Sequence, residues 1–104
     1  MPMKNPGHPG RQIKEELSFL NISVADAAEG LGVTRQQLHN VISGKSVITP
    51  DMAVRLEKGI GSTAETWLKM QAAYDLAQAR DRAEQITITR LVPKAAEAPA
   101  PRLL

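Results

Sequence analysis

The sequence predicts an all-α fold of five helices, and three observations lead to this prediction. The 104 residues include only one Trp, one Tyr and one Phe, although 42% of them are hydrophobic. The core is therefore expected to consist of Leu, Ile, Val, Ala and Met, which suits packed helices better than a β-sandwich. Apolar residues recur at helical spacing in successive segments. These segments are bounded by Ser, Thr or Pro at their starts and by Gly at several ends, and the length fits one domain.

The N-terminal part of the chain predicts an arm followed by two helices. Residues 1–9 hold three prolines and one glycine and form the arm, in which His8 is expected to pack as a loop residue. Ile13, Leu17 and Leu20 follow the i, i+4, i+7 pattern of an amphipathic helix that ends near Asn21. Ser23 is a good N-cap for the second helix. The inward residues of that helix are expected to be Val24, Ala27, Ala28 and Leu31.

The third helix is short and follows a tight connection at Gly32 and Val33. Thr34 caps its start, and Gly44 provides a left-handed stop after its end. The inward residues of this helix are expected to be Leu38, Val41 and Ile42.

Two further helices complete the predicted domain, which covers residues 10–83. Thr49, Pro50 and Asp51 form a start signal, because proline at the first helical position loses no hydrogen bond. This fourth helix is expected to bury Met52, Ala53, Leu56 and Ile60. Ser62 or Thr63 then caps a long fifth helix that extends to about Arg82. It carries Trp67, Leu68, Gln71, Ala72 and Tyr74.

In the C-terminal segment, the spacing of apolar residues changes from that of a helix to strict alternation. In residues 84–92, Ile86 and Ile88 alternate with Thr87 and Thr89, which is the spacing of a strand. A lone strand is not stable. The segment therefore pairs with another subunit, packs on the bundle as an extended segment, or stays unstructured. Residues 93–104 are rich in Pro and Ala and are expected to form a flexible tail.

Composition limits the environment and the partners. There is no cysteine, which excludes disulfides and thiolate metal sites and favours a reducing compartment. No apolar run is long enough for a transmembrane span or a signal peptide, so we expect a cytoplasmic protein without membrane contact. The net charge is only +2, but residues 30–50 contain no Asp or Glu. A polyanion would meet no repulsive charge there.

A row of polar side chains on the third helix indicates nucleic-acid binding. Two short helices joined by a glycine-containing turn form a helix-turn-helix, whose second helix fits the DNA major groove. Arg can donate two hydrogen bonds to guanine, and Asn or Gln can recognise adenine. The predicted base-reading residues are Arg35, Gln36, Gln37, His39 and Asn40. At helix ends and in the flanking loop, side chains and free amides are expected to hold phosphates. These phosphate-contacting residues are Ser23, Thr34, Ser43, Lys45 and Ser46.

Three other interpretations of this polar row and of the chain compete with DNA binding. A polar row at helical spacing is often only the solvated face of a surface helix, but such faces usually alternate Glu with Lys, and this one has no acid. An enzyme would need converging catalytic groups, and the chain has two His, no Cys and no HExxH, P-loop or GxSxG motif. A protein-interaction module on the same fold would leave the basic, acid-free row unexplained. No cofactor is implied.

Residues 22–45, ISVADAAEGLGVTRQQLHNVISGK, resemble the Xre (lambda-repressor-like) helix-turn-helix family. Many Xre proteins carry Gln at the start of the second helix for a phosphate contact; this chain has Val24 there, so Ser23 or the backbone would substitute. Three further blocks resemble the HigA antitoxins of that family. These blocks are HPG at 8–10, SGKSVITPDMAVRLEKGIG at 43–61 and ETWLKMQAAYDL at 65–76.

The resemblance implies a homodimer that binds a palindromic operator in its own promoter. It also implies a HigB-type toxin partner that cleaves mRNA. A solitary Xre-type regulator without a toxin is the alternative. Two half-sites about 34 Å apart independently favour a dimer, because one recognition helix makes few contacts. The fifth helix and the C-terminal segment are the expected subunit contact. Its predicted residues are Trp67, Tyr74, Ile86, Ile88 and Leu91, although Trp67 is also a candidate for the core of a single chain.

Overall fold

The computed structural model describes residues 7–93, and the predicted all-α fold of five helices is confirmed there. The first six residues of the predicted arm and all but residue 93 of the predicted tail lie outside the described residues. No described helix is long and apolar enough to cross a membrane. The helices are α1 (Gly10–Leu20), α2 (Val24–Leu31), α3 (Arg35–Ile42), α4 (Pro50–Gly59) and α5 (Ala64–Asp81), followed by a 3-10 turn (Ala83–Gln85).

Each predicted start signal acts as a hydrogen-bonding cap. The side chains of Ser23, Thr34, Thr49 and Thr63 accept the backbone N–H of the residue three positions later. Of the two candidates for the α5 cap, Thr63 takes the role. Asn21 closes α1 in the left-handed region, and Gly44, with φ 84°, follows the end of α3 as predicted. Local sequence therefore sets the helix boundaries.

One apolar core joins all five helices. Leu38, Leu56 and Ile13 are fully buried, and Trp67 is 1% exposed. The Trp67 indole N–H donates to the Gly61 carbonyl oxygen at 3.0 Å, so its polar atom is satisfied at the core edge. The other buried hydrophobic residues are Leu17, Ala27, Ala28, Leu31, Val41, Ile48, Met52 and Ala53. The predicted inward residues Val24, Ile42 and Ile60 are half-buried and pack against this core.

The arm locks the start of α1 against α3 and α5. His8 packs as a loop residue, as predicted: its ring meets Tyr74 edge-on at 4.9 Å. Its Nδ1 accepts the Gly10 N–H at 2.9 Å. A β-carbon at Gly10 would overlap the carbonyl oxygens of Val41 and Ile42, so α1 and the end of α3 meet at backbone distance. Glycine is required at this crossing because any side chain would push the helices apart.

The C-terminal segment forms no strand among the described residues. Residues 86–93 form no regular element and are exposed, and Ile88 and Leu91 are 78% and 93% exposed. The interpretation that this segment packs on its own bundle is therefore wrong. A segment with period-2 alternation becomes a stable strand only when a neighbouring strand supplies hydrogen bonds. The described part of this chain contains no such neighbouring strand.

Candidate nucleic-acid interface

The second and third helices are joined in helix-turn-helix geometry. Gly32 ends α2 with φ 73°, a left-handed conformation that side chains disfavour, and α3 begins three residues later at Arg35. Val33 donates its backbone N–H to the Ala28 carbonyl oxygen at 3.0 Å, which fixes the turn. The turn is therefore short and hydrogen-bonded at both ends.

Arg55 of α4 forms hydrogen bonds to the backbone of this turn. Its guanidinium donates to the carbonyl oxygens of Leu31 at 2.8 Å and Gly32 at 3.1 Å, and it pairs with Asp51 at 2.8 Å. The last carbonyls of a helix lack intrahelical partners, and a charged donor satisfies them strongly. Arg55 thus links α4 to the turn between α2 and α3. Sequence analysis missed this residue; the Asp51 and Arg55 spacing of four was the only available signal.

The structure places the predicted base-reading residues on the solvent side of α3. Arg35, Gln36, Gln37 and His39 are exposed, and Asn40 is half-buried. The opposite side of the helix is held by the buried Leu38 and Val41. The side chains of the row are therefore available to a partner without rearrangement of the core.

Two hydrogen bonds distinguish the three amides of the row. Gln37 accepts the Thr34 N–H at 2.8 Å and completes a capping box, so its carbonyl oxygen stabilises the start of the helix. Gln36 donates from Nε2 to Asn40 Oδ1 at 2.8 Å, one helical turn away. These two side chains present a paired set in which Gln36 Oε1 can accept and Asn40 Nδ2 can donate.

The predicted phosphate-contacting residues lie at the starts of α2 and α3 and in the loop after α3, and the backbone amides at the start of that loop are not free. The N–H groups of Ser43, Gly44, Lys45 and Ser46 all donate to carbonyl oxygens of α3. The expectation of free amides in this loop is therefore wrong, and only side chains remain for a phosphate. The Ser23 and Thr34 hydroxyls accept backbone N–H groups, which leaves their O–H protons able to donate.

A buried glutamine holds the loop that carries these side chains. Gln71 of α5 accepts the Ile48 N–H at 2.8 Å and donates to Asp75 at 3.0 Å. Because Gln71 is buried, a lost partner would leave a polar group unsatisfied. The loop after α3 is thereby pinned to α5. Sequence analysis placed Gln71 on the helix without this role.

The predicted subunit-contact residues do not lie in one environment. Trp67 belongs to the core of its own chain, and Tyr74 is half-buried against His8. Ile86, Ile88 and Leu91 are exposed in the extended C-terminal segment. Only these three offer extensive apolar surface to another molecule.

Together these features define a helix-turn-helix protein whose second helix presents a basic, acid-free polar row. A profile of the Helix-turn-helix family matches residues 20–68. The chain is 48% identical over 77 residues to virulence-associated protein A' of Dichelobacter nodosus, covering 73% of this chain and 67% of the relative. It is 35% identical to antitoxin HigA-1 of Vibrio cholerae serotype O1, over 79% of this chain and 78% of the relative.

Solved structures agree with these sequence relatives. Pseudomonas aeruginosa antitoxin HigA, solved with the higBA promoter, superimposes with a TM-score of 0.76 at 32% identity, covering 85% of this chain and all of that one. The chain belongs to the Xre-type helix-turn-helix family, and its relatives include HigA antitoxins. This is a family of DNA-binding antitoxins and regulators rather than enzymes.

Proposed function

We propose that this chain is a sequence-specific DNA-binding antitoxin that represses its own operon from a palindromic operator. The observation that carries the proposal is the row of exposed polar side chains on α3, which contains no acidic residue. The helix that presents this row is capped at its start, and the turn before it is hydrogen-bonded to Arg55. A relative with 32% identity has been solved with promoter DNA, which supports the same use of this surface.

The row offers the chemistry that base edges require. Arg35 suits guanine, and the amides of Gln36 and Asn40 suit adenine. His39 lies on the same side, and the free Nε2 protons of Gln37 remain available although its oxygen caps the helix. Each good bidentate contact discriminates against a wrong base by about 1 to 3 kcal/mol.

Base reading is tested by Arg35→Ala and Asn40→Ala. We expect each variant to bind one palindromic operator about 5- to 150-fold more weakly, while its binding to random DNA changes much less. Titrations of both DNAs at one salt concentration measure this difference. Lys69→Ala, on the exposed surface of α5, is the control for loss of one positive charge. Equal losses on operator and random DNA would contradict base reading.

Phosphate positioning is the role proposed for Ser23, Thr34, Ser43, Lys45 and Ser46. Lys45 is exposed directly after α3, where an ammonium group can meet the DNA backbone. We expect Lys45→Ala to lower the slope of log affinity against log salt by about one unit, because one phosphate contact releases about one counterion. Lys69→Ala again serves as the control. An unchanged slope for Lys45→Ala would remove it from the phosphate contacts.

The partner protein is proposed to be a HigB-type toxin that cleaves mRNA. Likeness to antitoxins HigA-1 and HigA supports this partner. The toxin would be encoded next to this gene, and its expression alone should arrest growth. Co-expression of this chain should restore growth, and the two proteins should elute together. Persistent arrest on co-expression would contradict neutralisation and favour a regulator acting alone.

The DNA-binding form is proposed to be a homodimer. A palindrome presents two equivalent half-sites, and a two-fold symmetric dimer places one recognition helix in each. The exposed Ile86, Ile88 and Leu91 supply apolar surface for the contact, and Tyr74 of α5 is also proposed to take part. Sedimentation should give a dimer at micromolar concentration. Monomer alone at that concentration would contradict this part of the proposal.

A further inference from the structure

Two apolar features of the described residues stay uncovered in the single chain. The first is a groove between the end of α1, the side of α2 and the end of α4. It is lined mainly by Leu17, Leu20, Ile22, Ala27, Leu31 and Ile60. Of these lining residues, Leu20 and Ile22 are 46% and 41% exposed. Exposed apolar side chains at the edge of a groove are typical of a contact surface.

The second feature is the extended segment 86–92. Side chains alternate along an extended chain, so in a segment bound as a strand Ile86, Ile88, Arg90 and Val92 share one side. Ile88 is 78% exposed and Val92 is 73% exposed. The opposite side carries the two threonines and Leu91. The segment therefore has an apolar side with a single positive charge in it.

The two isoleucines of the segment cannot reach the groove of their own chain without breaking α5. This helix has 18 residues and spans about 27 Å, and its start lies next to the Ile60 end of the groove. Ile86 and Ile88 follow Arg82 by about 14 and 21 Å of fully extended backbone. Both isoleucines therefore fall short of the groove in their own molecule.

We infer that residues 86–92 of one copy of this chain occupy the groove of a second copy, and that the exchange is reciprocal. The inference rests on the proposed homodimer and specifies where the C-terminal segment lies in it. Two-fold symmetry fills both grooves at once, so the assembly closes at two copies rather than forming a filament.

Charge supports this occupant. Asp26 lines the groove, and Glu29 lies one turn further along the same helix. The side of the segment that carries the isoleucines also carries Arg90, whose long side chain can bury its stem and keep its guanidinium near a carboxylate. An apolar segment with one positive charge thus matches an apolar groove with an acidic edge.

The absence of cysteine from the chain allows a direct test. Leu20→Cys places a thiol in the groove, and Ile88→Cys places one on the segment. The two variants are mixed, equilibrated and treated with a short bis-maleimide at micromolar concentration. We expect a covalent dimer in the mixture and almost none with either variant alone. Cross-linking of Ile88→Cys with itself would instead indicate direct pairing of the two segments and would overturn the inference.

A second measurement does not depend on cross-linking. Replacing both Ile86 and Ile88 with Ser should raise the dimer dissociation constant by roughly 100-fold, because two apolar side chains lose their burial. The matched control replaces Thr87 and Thr89 with Ser on the opposite side and should change the constant by less than about threefold. Equal effects of the two double variants would overturn the inference.

The outcomes separate this inference from the proposed function. If the mixture gives no cross-link while the chain remains a dimer with Arg35-dependent operator binding, the exchange is wrong and the proposed function stands. If the chain is monomeric at all concentrations and still selects its operator, both the exchange and the homodimer are wrong. If Arg35→Ala leaves selectivity intact while the cross-link forms, the exchange stands and base reading fails.

Discussion

The amide side chains of α3 differ in their hydrogen bonding, and we expect this to give them different roles in DNA binding. Gln37 holds the helix start through its oxygen, whereas Gln36 and Asn40 bond to each other at 2.8 Å. A paired amide has fewer rotamers to lose when it meets a base, so pairing reduces the entropy cost of binding. The pair should therefore act as one recognition unit.

This coupling predicts a non-additive double-mutant cycle. We expect Gln36→Ala and Asn40→Ala each to reduce operator affinity, and the double variant to lose less than the sum by about 0.5 to 2 kcal/mol. The coupling arises because either single change also frees the remaining amide. Gln36→Ala combined with Lys45→Ala is the control pair and should be additive. Additivity in the Gln36 and Asn40 cycle would show that the two amides bind independently.

His8, in the N-terminal arm, makes the stability of the folded chain depend on pH. Burial lowers the pKa of His8 below its usual 6.5, and the nearby Asp75 carboxylate offsets part of that effect. The neutral ring is the form that accepts the Gly10 N–H at Nδ1. The unfolded chain binds this proton more readily than the folded chain. The contribution of neutral His8 to stability is therefore full above pH 6.5. It falls as the pH drops from 6.5 towards the lower pKa that His8 has in the folded chain.

We predict that His8→Asn flattens this pH dependence. Asn retains a short acceptor for the Gly10 N–H but does not titrate. Thermal unfolding at pH 7.5 and 5.5 should show a larger fall in Tm for the native chain than for His8→Asn. Carboxylates shared by both proteins cancel in that comparison. An equal fall in Tm for the two proteins would exclude His8 as the titrating group.

At the scale of the elements, the crossing of α1 and α3 sets the position of the recognition helix. Gly10 meets the carbonyl oxygens of Val41 and Ile42, and these are backbone atoms that cannot turn aside. Gly30, inside α2, has no atom within 4 Å of the position of an added β-carbon. The two glycines therefore form a matched pair for the same substitution.

Alanine at these glycines should have opposite effects on stability. Gly10→Ala should destabilise the chain by about 1 to 3 kcal/mol, because the methyl group forces the helices apart. Gly30→Ala should stabilise it by about 0.5 to 1 kcal/mol, because the unfolded chain loses conformational freedom. Urea unfolding followed by the Trp67 fluorescence measures both. A neutral Gly10→Ala would indicate that α1 can shift away from α3 at no cost.

The elements also show how much could be predicted from the sequence. Helix starts were predicted because Thr34 and Thr49 cap through bonds that span three residues. The hydrogen bonds of Arg55 to the turn and of Gln71 to Ile48 join residues more than twenty positions apart, and a local sequence pattern does not predict such bonds. The period of residues 86–92 predicts a strand, but none forms in the described chain, because a strand needs a partner that sequence periodicity cannot provide.

At the scale of the whole molecule, the proposed dimer converts weak half-site binding into operator recognition. A single α3 presents only five candidate base-reading side chains, whereas two of them double the contacts at a fixed separation. That separation must match one turn of B-DNA, about 34 to 36 Å or 10 to 10.5 base pairs, for both helices to face the same side of the duplex. We therefore expect the dimer to bind tightly only to operators whose half-sites have this spacing.

Changing the spacing between half-sites tests this geometry. Five added base pairs rotate one half-site to the far side of the DNA, so we expect affinity to fall to that of an isolated half-site. An operator with one half-site scrambled is the reference for that level, and Arg35→Ala should bind both DNAs equally weakly. Footprinting should then show protection of one half-site at a time. Full affinity and two protected half-sites at the altered spacing would mean that two independent monomers bind, because a symmetric dimer cannot reach both faces.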